Sequence, residues 1–352
     1  MRTAVRLILV VLPLCLPGMA FGMDSPVAAV VESTLPTAPE QIRQFAFDGN
    51  AETFFASKQN PAKGDHFTLT FDKAVAVQSI TVATGRPKGE DKLHAGALEV
   101  STDGKAFTTL TTFKDGTARG EPKGQMLKAV RIKCTEDVGH PLVLREISVE
   151  STPTVMVFTH PIEFLVDVSD APEMKDWADK VARVCERQFP LICEELKSPG
   201  YKPTHWVTMT LKKDYQGVAA TGGGRITGSV KFFKDHPDDI GAMVHETVHV
   251  VQRYRSRNNP GWLVEGVADY YRFFKYEPGK IGRINADRAR YNGSYRTTAA
   301  FLAYVTDKYD KEIVRKLNQA MRENKYKEEM FKEYTGKTVQ ELDTEWRATL
   351  KK

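Results

Sequence analysis

The chain reads as two domains of different class, an all-β sandwich followed by an α+β domain, and three observations carry that reading. Its 352 residues exceed what one ordinary core organises. Between about residues 41 and 152 short alternating runs follow one another with turn residues between them, whereas from 153 onward a few strands give way to long stretches of helical period. Hydrophobic residues make up 41% and charged residues 27%, which suits packed cores and excludes disordered or collagen-like chains. A net charge of +5 with no long basic run also excludes a nucleic-acid footprint.

The N-terminus has its own pattern. Arg2 and Arg6 precede an apolar run from Leu7 to Leu16, and small Ala20 and Gly22 follow, which describes a signal peptide over residues 1–22. The expected location is therefore secreted or periplasmic. The apolar run is too short for a bilayer span, Pro13 and Pro17 interrupt it, and no later stretch qualifies, so no integral membrane segment remains after cleavage. Loss of Arg2 and Arg6 leaves a net charge of +3. Residues 23–40, rich in Ala, Pro and Val, read as a linker.

Strands are expected at HFTLTF (66–71), VQSITVATG (77–85), ALEVST (97–102), AVRIKC (129–134) and LREISVE (144–150), with Thr102-Asp103-Gly104 among the turns between them. After the boundary near 153, VMVF (155–158) and FLVDV (164–168) read as strands. Residues 173–189 read as a helix with Trp177, Val181, Val184 and Phe189 near one face. Strands at 206–211 and 226–233 follow, then nearly continuous helix. Cys15 leaves with the signal, and Cys134, Cys185 and Cys193 remain. Cys185 and Cys193 flank Pro190: a break there would let them pair, while one straight helix would hold them roughly 12 Å apart as thiols.

The sharpest chemistry is in AMVHETVHVVQ. Ile240, Met243, Val244, Val248 and Val251 recur at helical spacing, so His245 and His249 project together from an adjacent face, where two imidazoles one turn apart can grip one Zn2+. Glu246 is placed to act as general base on the water activated there. The three-histidine continuation is excluded, because Gln252 and Arg255 stand where it needs Gly and His. Glu265 and Asp269 in GWLVEGVADYYR lie one turn apart on a second helix, after a turn at Asn258-Asn259-Pro260-Gly261. Glu265 can supply the third ligand, with a solvated helix carboxylate as the alternative, and Asp269 can hold a ligand imidazole by its other nitrogen. The oxyanion formed at a scissile carbonyl needs a donor, for which Tyr295 is the first candidate and Tyr291 the second, each with core packing as the alternative. RITGSVKFF (225–233), just before the zinc helix, is read as the sheet edge that an extended peptide joins, with Ile226, Gly228 and Val230 contacting substrate. Thr338-Val339-Gln340-Glu341 is a capping box that opens a last helix buried through Leu342, Trp346 and Leu350.

Two resemblances follow from these residues. FAFDGNAETFFAS (45–57), the Ser101-Thr102-Asp103-Gly104 turn and RIKC…LREISVE resemble the discoidin-like domain of coagulation factors (F5/8 type C) and carbohydrate-binding modules, which implies a jelly-roll sandwich over residues 41–152. That resemblance implies a structural Ca2+ held by Asp48, Asn50, Thr53 and Glu146, with a metal-free Asx-turn as the alternative, and a glycan or surface as partner. His94, His140, Arg86 and Arg119 lie in candidate loops but read as ordinary solvated side chains.

GVAATGGG, HETVHVVQ, WLVEGVADYYR, YNGSY…AAFLAY and YTGKTVQELDTEW are together similar to the basic secretory protein family of plant and bacterial zincin-type peptidases. The second domain, 153–352, is then expected to be an exported zinc metallopeptidase acting on peptides or proteins, with Gln252 and the segment 291–295 near the zinc helices. The rival reading is a glycan- or surface-binding protein whose zinc domain is structural or vestigial. Retention of Glu246 argues against it, since purely structural zinc commonly has four protein ligands and needs no base.

Overall fold

The structure, a computed structural model, describes residues 26–255, 258–293 and 295–351; the expected signal peptide lies outside them. No helix of the described residues is long and apolar enough to cross a membrane.

The first domain is an antiparallel β-sandwich. Its strands are β1 (Ala29–Ser33), β2 (Phe55–Ala56), β3 (His66–Thr84), β4 (Gly96–Ser101), β5 (Thr108–Thr112), β6 (Thr117–Gly120), β7 (Gln125–Cys134) and β8 (Val143–Thr152). They pair in the order β2-β8-β3-β7-β4-β5, with β1 and β6 also on β3. The two runs expected at 66–71 and 77–85 are one strand, β3, whose register with β7 shifts between Thr70 and Val75. Such a bulge lets one strand turn a corner and serve both layers. Alternating side chains of β3, β7 and β8 fill the core, among them Phe67, Leu69, Val82, Leu127, Ile132 and Ile147, all fully buried.

The linker expected at 23–40 is corrected here. Residues 29–33 form β1, antiparallel to β3, with Ala29 paired to Phe71 and Ser33 to Phe67. Composition misled: Val27, Ala29 and Val31 are buried at every second position, the period of a half-buried strand.

The sandwich also extends past residue 153. Val155 joins its core, and the Phe158 amide donates to the Phe47 carbonyl, so residues 154–158 lie against the first domain and form only an isolated bridge. The chain then enters a small sheet with the order β11-β12-β10-β9, comprising β9 (Glu163–Asp167), β10 (Trp206–Lys212), β11 (Ala219–Gly222) and β12 (Arg225–Ser229). β9, β10 and β12 are parallel, and β11 adds antiparallel to β12 across the Gly222–Gly224 turn. Gly223 and Gly224 both have positive φ there, which glycine alone adopts freely.

Helices α1 (Lys175–Glu195), α2 (Val230–Asp235), α3 (Ile240–Gln252), α4 (Gly261–Tyr271), α5 (Tyr295–Lys308), α6 (Ile313–Arg322), α7 (Met330–Thr335) and α8 (Val339–Thr349) complete the second domain. α1 passes through Pro190 without breaking, because proline's fixed φ suits a helix and only the hydrogen bond to residue 186 is forfeited. Cys185 and Cys193 are therefore free, buried thiols on one helix, and burial pushes both up to about 12. The Thr338–Glu341 capping box forms, and Trp346 is buried against Phe301.

The two domains are joined by a buried cluster of charges. Arg43, from the sandwich, lies 3.2 Å from Glu163 of β9 and 3.3 Å from Glu186 of α1, and Arg183 lies 2.7 Å from the same Glu186. Glu163 also accepts hydrogen bonds from the Thr37 hydroxyl (2.7 Å) and the Arg43 amide (2.9 Å), while the Ile162 amide donates to Gln44. Two guanidiniums and two carboxylates balance in a site largely closed to water, which is the condition under which such charges tolerate burial.

Candidate metal centre

The site is built on α3 and α4. α3 starts where the Asp239 side chain accepts from the Ala242 amide, and it ends at Arg253, whose φ of 42° turns the chain out of the helix. Its apolar residues bury it nearly all round, so His245 and Glu246 are themselves only 7% exposed. α4 begins at Pro260 and presents Glu265 and Asp269 toward α3. Gly266 lets α5 pack directly against α4: a Cβ there would fall 2.1 Å from Thr298 Cγ2. That close approach sets the start of α5, and with it Tyr295, beside the histidines.

His245 Nε2 lies 3.1 Å from Glu265 Oε2 and 3.1 Å from His249 Nε2, and His249 Nε2 lies 3.3 Å from the same carboxylate oxygen. The three donor atoms all fall within 4.8 Å of one another, so the side chains fit a single metal ion. Their outer partners fix which nitrogen faces inward. His245 Nδ1 donates to Asp269 Oδ1 at 2.7 Å, and His249 Nδ1 donates to Gln252 Oε1 at 2.7 Å. Gln252 Nε2 is committed to the Val264 carbonyl, so its amide cannot turn over, and both Nε2 atoms are directed to the metal position.

The electrostatics agree with the donor set. Burial lowers the His245 pKa, but hydrogen bonds to Asp269 and Glu265 outweigh it and raise the imidazole to about 9. Burial raises Glu265, yet the two histidines pull it down to about 2. The cluster thus gathers around a cationic centre, and a dication can replace the His245 proton.

Glu246 lines the same cleft but is not one of the three donors. Its Oε2 accepts from Thr221 Oγ1 at 2.8 Å, so the carboxylate is held at the cleft wall by β11. Thr221 was not foreseen from the sequence; its only signal there was the GVAATGGG segment. Tyr295 lies with its ring centroid 6.1 Å from that of His245 and is 53% exposed. The Glu265 carboxylate, then burial, raises its phenol, which keeps the hydroxyl protonated as a donor. Tyr291 instead packs on Trp262 and Phe301 and donates to Glu328, which leaves it a packing role.

The expected substrate strand is corrected. β12 lies inside the sheet between β11 and β10, and the edge next to it is β11. Ile226 is fully buried, Val230 is buried at the start of α2, and a Cβ at Gly228 would meet Phe233 and Leu211. The reason is the short Gly222–Gly224 turn, which folds residues 219–222 back over β12 and covers it. Residues 217–224, α3, α4 and the start of α5 line a cleft of about 1580 Å³ around the metal centre.

In the sandwich, the residues expected around calcium do come together. Asp48 accepts from the Asn50 amide (3.0 Å) and the Thr53 hydroxyl (2.8 Å). Glu146 is close enough that, after burial, the Asp48 charge is the main influence raising its pKa to about 7, and its buried Oε2 has no hydrogen-bond partner. The Asn50 amide bond to Asp48 is the Asx-turn, and the partnerless Glu146 oxygen is the feature a calcium ion would use beyond it. Calcium should therefore raise the melting temperature of the protein, more strongly as pH rises through about 7 and Glu146 loses its proton. Thermal melts of wild type and Asp48→Ala check this; a calcium shift that survives Asp48→Ala contradicts the site. Among the candidate loop residues, Arg86 pairs with Asp91 and lies over Phe54, while His94 and Arg119 are exposed.

Comparison with known proteins adds two matches. A family model described as a peptidase of plants and bacteria matches residues 163–346, and one described as an F5/8 type C domain matches residues 29–146. No curated protein matches the chain. Similar solved structures include the family 32 carbohydrate-binding module of Clostridium perfringens NanJ in complex with galactose, 19% identical over 34% of this chain and 92% of that one, with a TM-score of 0.30. A Streptococcus pneumoniae fucose binding module is 16% identical over 34% and 92%, with a TM-score of 0.30. Chitosan-binding module 1 of a chitosanase/glucanase from Paenibacillus sp. IK-5 is 18% identical over 34% and 93%, with a TM-score of 0.31.

Proposed function

Because the chain belongs to the peptidase family of plants and bacteria, whose match covers more than half its length, we propose that it is an exported zinc-dependent peptidase whose N-terminal module directs it to glycans at a surface. The observation that carries the reading is the convergence of His245 Nε2, His249 Nε2 and Glu265 Oε2, with Glu246 beside them in an open cleft. Three protein donors suit a catalytic zinc, which keeps a further position for water or substrate. Export rests on the pattern of residues 1–22, and the glycan role on the discoidin-like module.

A zinc ion bound by His245, His249 and Glu265 would supply Lewis acidity for peptide hydrolysis. The chain's own residues do the rest. Asp269 and Gln252 hold the two imidazoles with Nε2 inward. Glu246, kept at the cleft wall by Thr221, takes a proton from the attacking water and returns it to the leaving amine. Tyr295, a protonated donor, hydrogen-bonds the developing oxyanion. β11, the sheet edge beside Glu246, is available to pair with an extended substrate.

Chelation should abolish cleavage of a mixed peptide library and added zinc should restore it. Metal-free His245 holds a proton up to about pH 9, so zinc affinity should weaken by roughly tenfold per pH unit below that value as the proton competes. Cleavage that survives complete removal of metal would contradict the reading.

A further inference from the structure

The charges that line the cleft are not evenly satisfied. Among its carboxylates, Asp239 pairs with Arg272 at 2.5 Å, Asp269 accepts from His245, Glu246 accepts from Thr221, and Glu265 faces the two histidines. Two lining guanidiniums, Arg253 and Arg296, are exposed and make no ion pair among the described residues. Arg272, the third lining arginine, is neutralised by Asp239 and Glu277. Arg253 and Arg296 are therefore the lining guanidiniums left without a carboxylate partner among the described residues.

Position and orientation add to charge. Arg253 follows Gln252, whose amide donates to the Val264 carbonyl, so it stands by the N-terminal half of α4. Arg296 lies with its guanidinium carbon 4.9 Å from the centroid of Phe273, just beyond the C-terminal end of α4. Glu265, one of the three candidate metal donors, directly follows Val264, and Phe273 lies eight residues beyond it. At about 1.5 Å per residue, the stretch from Val264 to Phe273 spans on the order of 14 Å, the reach of about four residues of extended peptide. Stacking on Phe273 steadies the Arg296 plane and leaves its N–H groups free.

We infer that Arg253 and Arg296 select peptides by binding substrate carboxylates near the scissile bond, an inference that rests on the peptidase reading of the same cleft. A guanidinium binds a carboxylate through paired N–H donors. That carboxylate comes either from Asp and Glu side chains flanking the bond or from a free C-terminus.

The test uses the full-length protein with zinc. Quenched peptides carrying Glu within two residues of a central bond are compared with their Gln counterparts, each with a free or an amidated C-terminus. Each contact should favour the acidic peptide by roughly tenfold in kcat/KM. Arg253→Glu with Arg296→Glu should reverse the preference toward Lys peptides; both positions are exposed, so the fold should be unaffected. A preference that persists in amidated peptides assigns the carboxylate to side chains, and one confined to free acids assigns it to the terminus. Both outcomes support the inference. Equal cleavage of Glu and Gln peptides, unchanged by charge reversal, overturns it while leaving the peptidase reading intact. If nothing is cleaved, binding of the same peptides to Glu246→Gln, read by fluorescence anisotropy, decides: an arginine-dependent preference for Glu supports the inference although the peptidase reading fails, and its absence overturns both.

Discussion

Glu246→Gln should keep the metal and the fold and lose roughly 10²- to 10⁴-fold in kcat, the usual cost of removing a general base. The structure makes this a clean substitution. Glu246 is outside the three-donor set, and a glutamine oxygen can still accept from Thr221, so the side chain retains its place at the cleft wall. KM should change little, because the proton transfer occurs only after substrate is bound. Stopped or continuous assays on the best library peptide, with metal content measured on the same preparation, check the outcome. Cleavage at the wild-type rate would assign the activity to another group.

Arg43→Ala should destabilise the protein by about 3–5 kcal/mol, the range for removing one partner of a buried ion pair. Arg43 faces Glu163 and Glu186, both nearly closed to water, and burial already pushes the Glu186 carboxyl upward against the pull of Arg183 and Arg43. Loss of the guanidinium leaves two carboxylates with one arginine. Because Glu163 opens the first strand of the second domain's sheet and α1, which carries Glu186, packs on α3, the effect should reach metal retention as well as the sandwich. Denaturant melts measure it. A change within about 0.5 kcal/mol, the size of an ordinary surface substitution, would show that the domains are only loosely docked.

The sequence made the metal centre legible because its chemistry is written locally. His245 and His249 are one helical turn apart, as are Glu265 and Asp269, so each pair needed only its own helix to be aligned. Gln252 and Thr221 show the limit. Gln252 reaches His249 from the end of the same helix, but the role of Thr221 depends on β11 folding back over β12, a pairing set by the Gly222–Gly224 turn. The same turn explains why Ile226 and Val230, read as an exposed edge, are buried.

The fold shows the same division. Alternation revealed most strands of the sandwich, and helical period revealed α3. β1 was hidden by a composition suited to a linker, although Val27, Ala29 and Val31 carry the strand period. The charge cluster at Arg43, Glu163, Arg183 and Glu186 was not legible at all, since nothing local marks partners up to 143 positions apart. Long-range pairing of that kind follows from how two cores meet, and a boundary near residue 153 gave no hint that the halves share buried charges.

Elemental analysis of the purified protein tests the central claim most directly. The wild type should hold about one zinc per chain, and so should Glu246→Gln. Asp269→Asn should retain the ion with affinity lowered roughly 10- to 100-fold, as for other partners of a metal-bound histidine. His245→Ala and His249→Ala should contain none. A wild-type protein with no stoichiometric transition metal, or histidine variants that hold zinc as tightly as wild type, would contradict the assignment of His245, His249 and Glu265 as a metal centre.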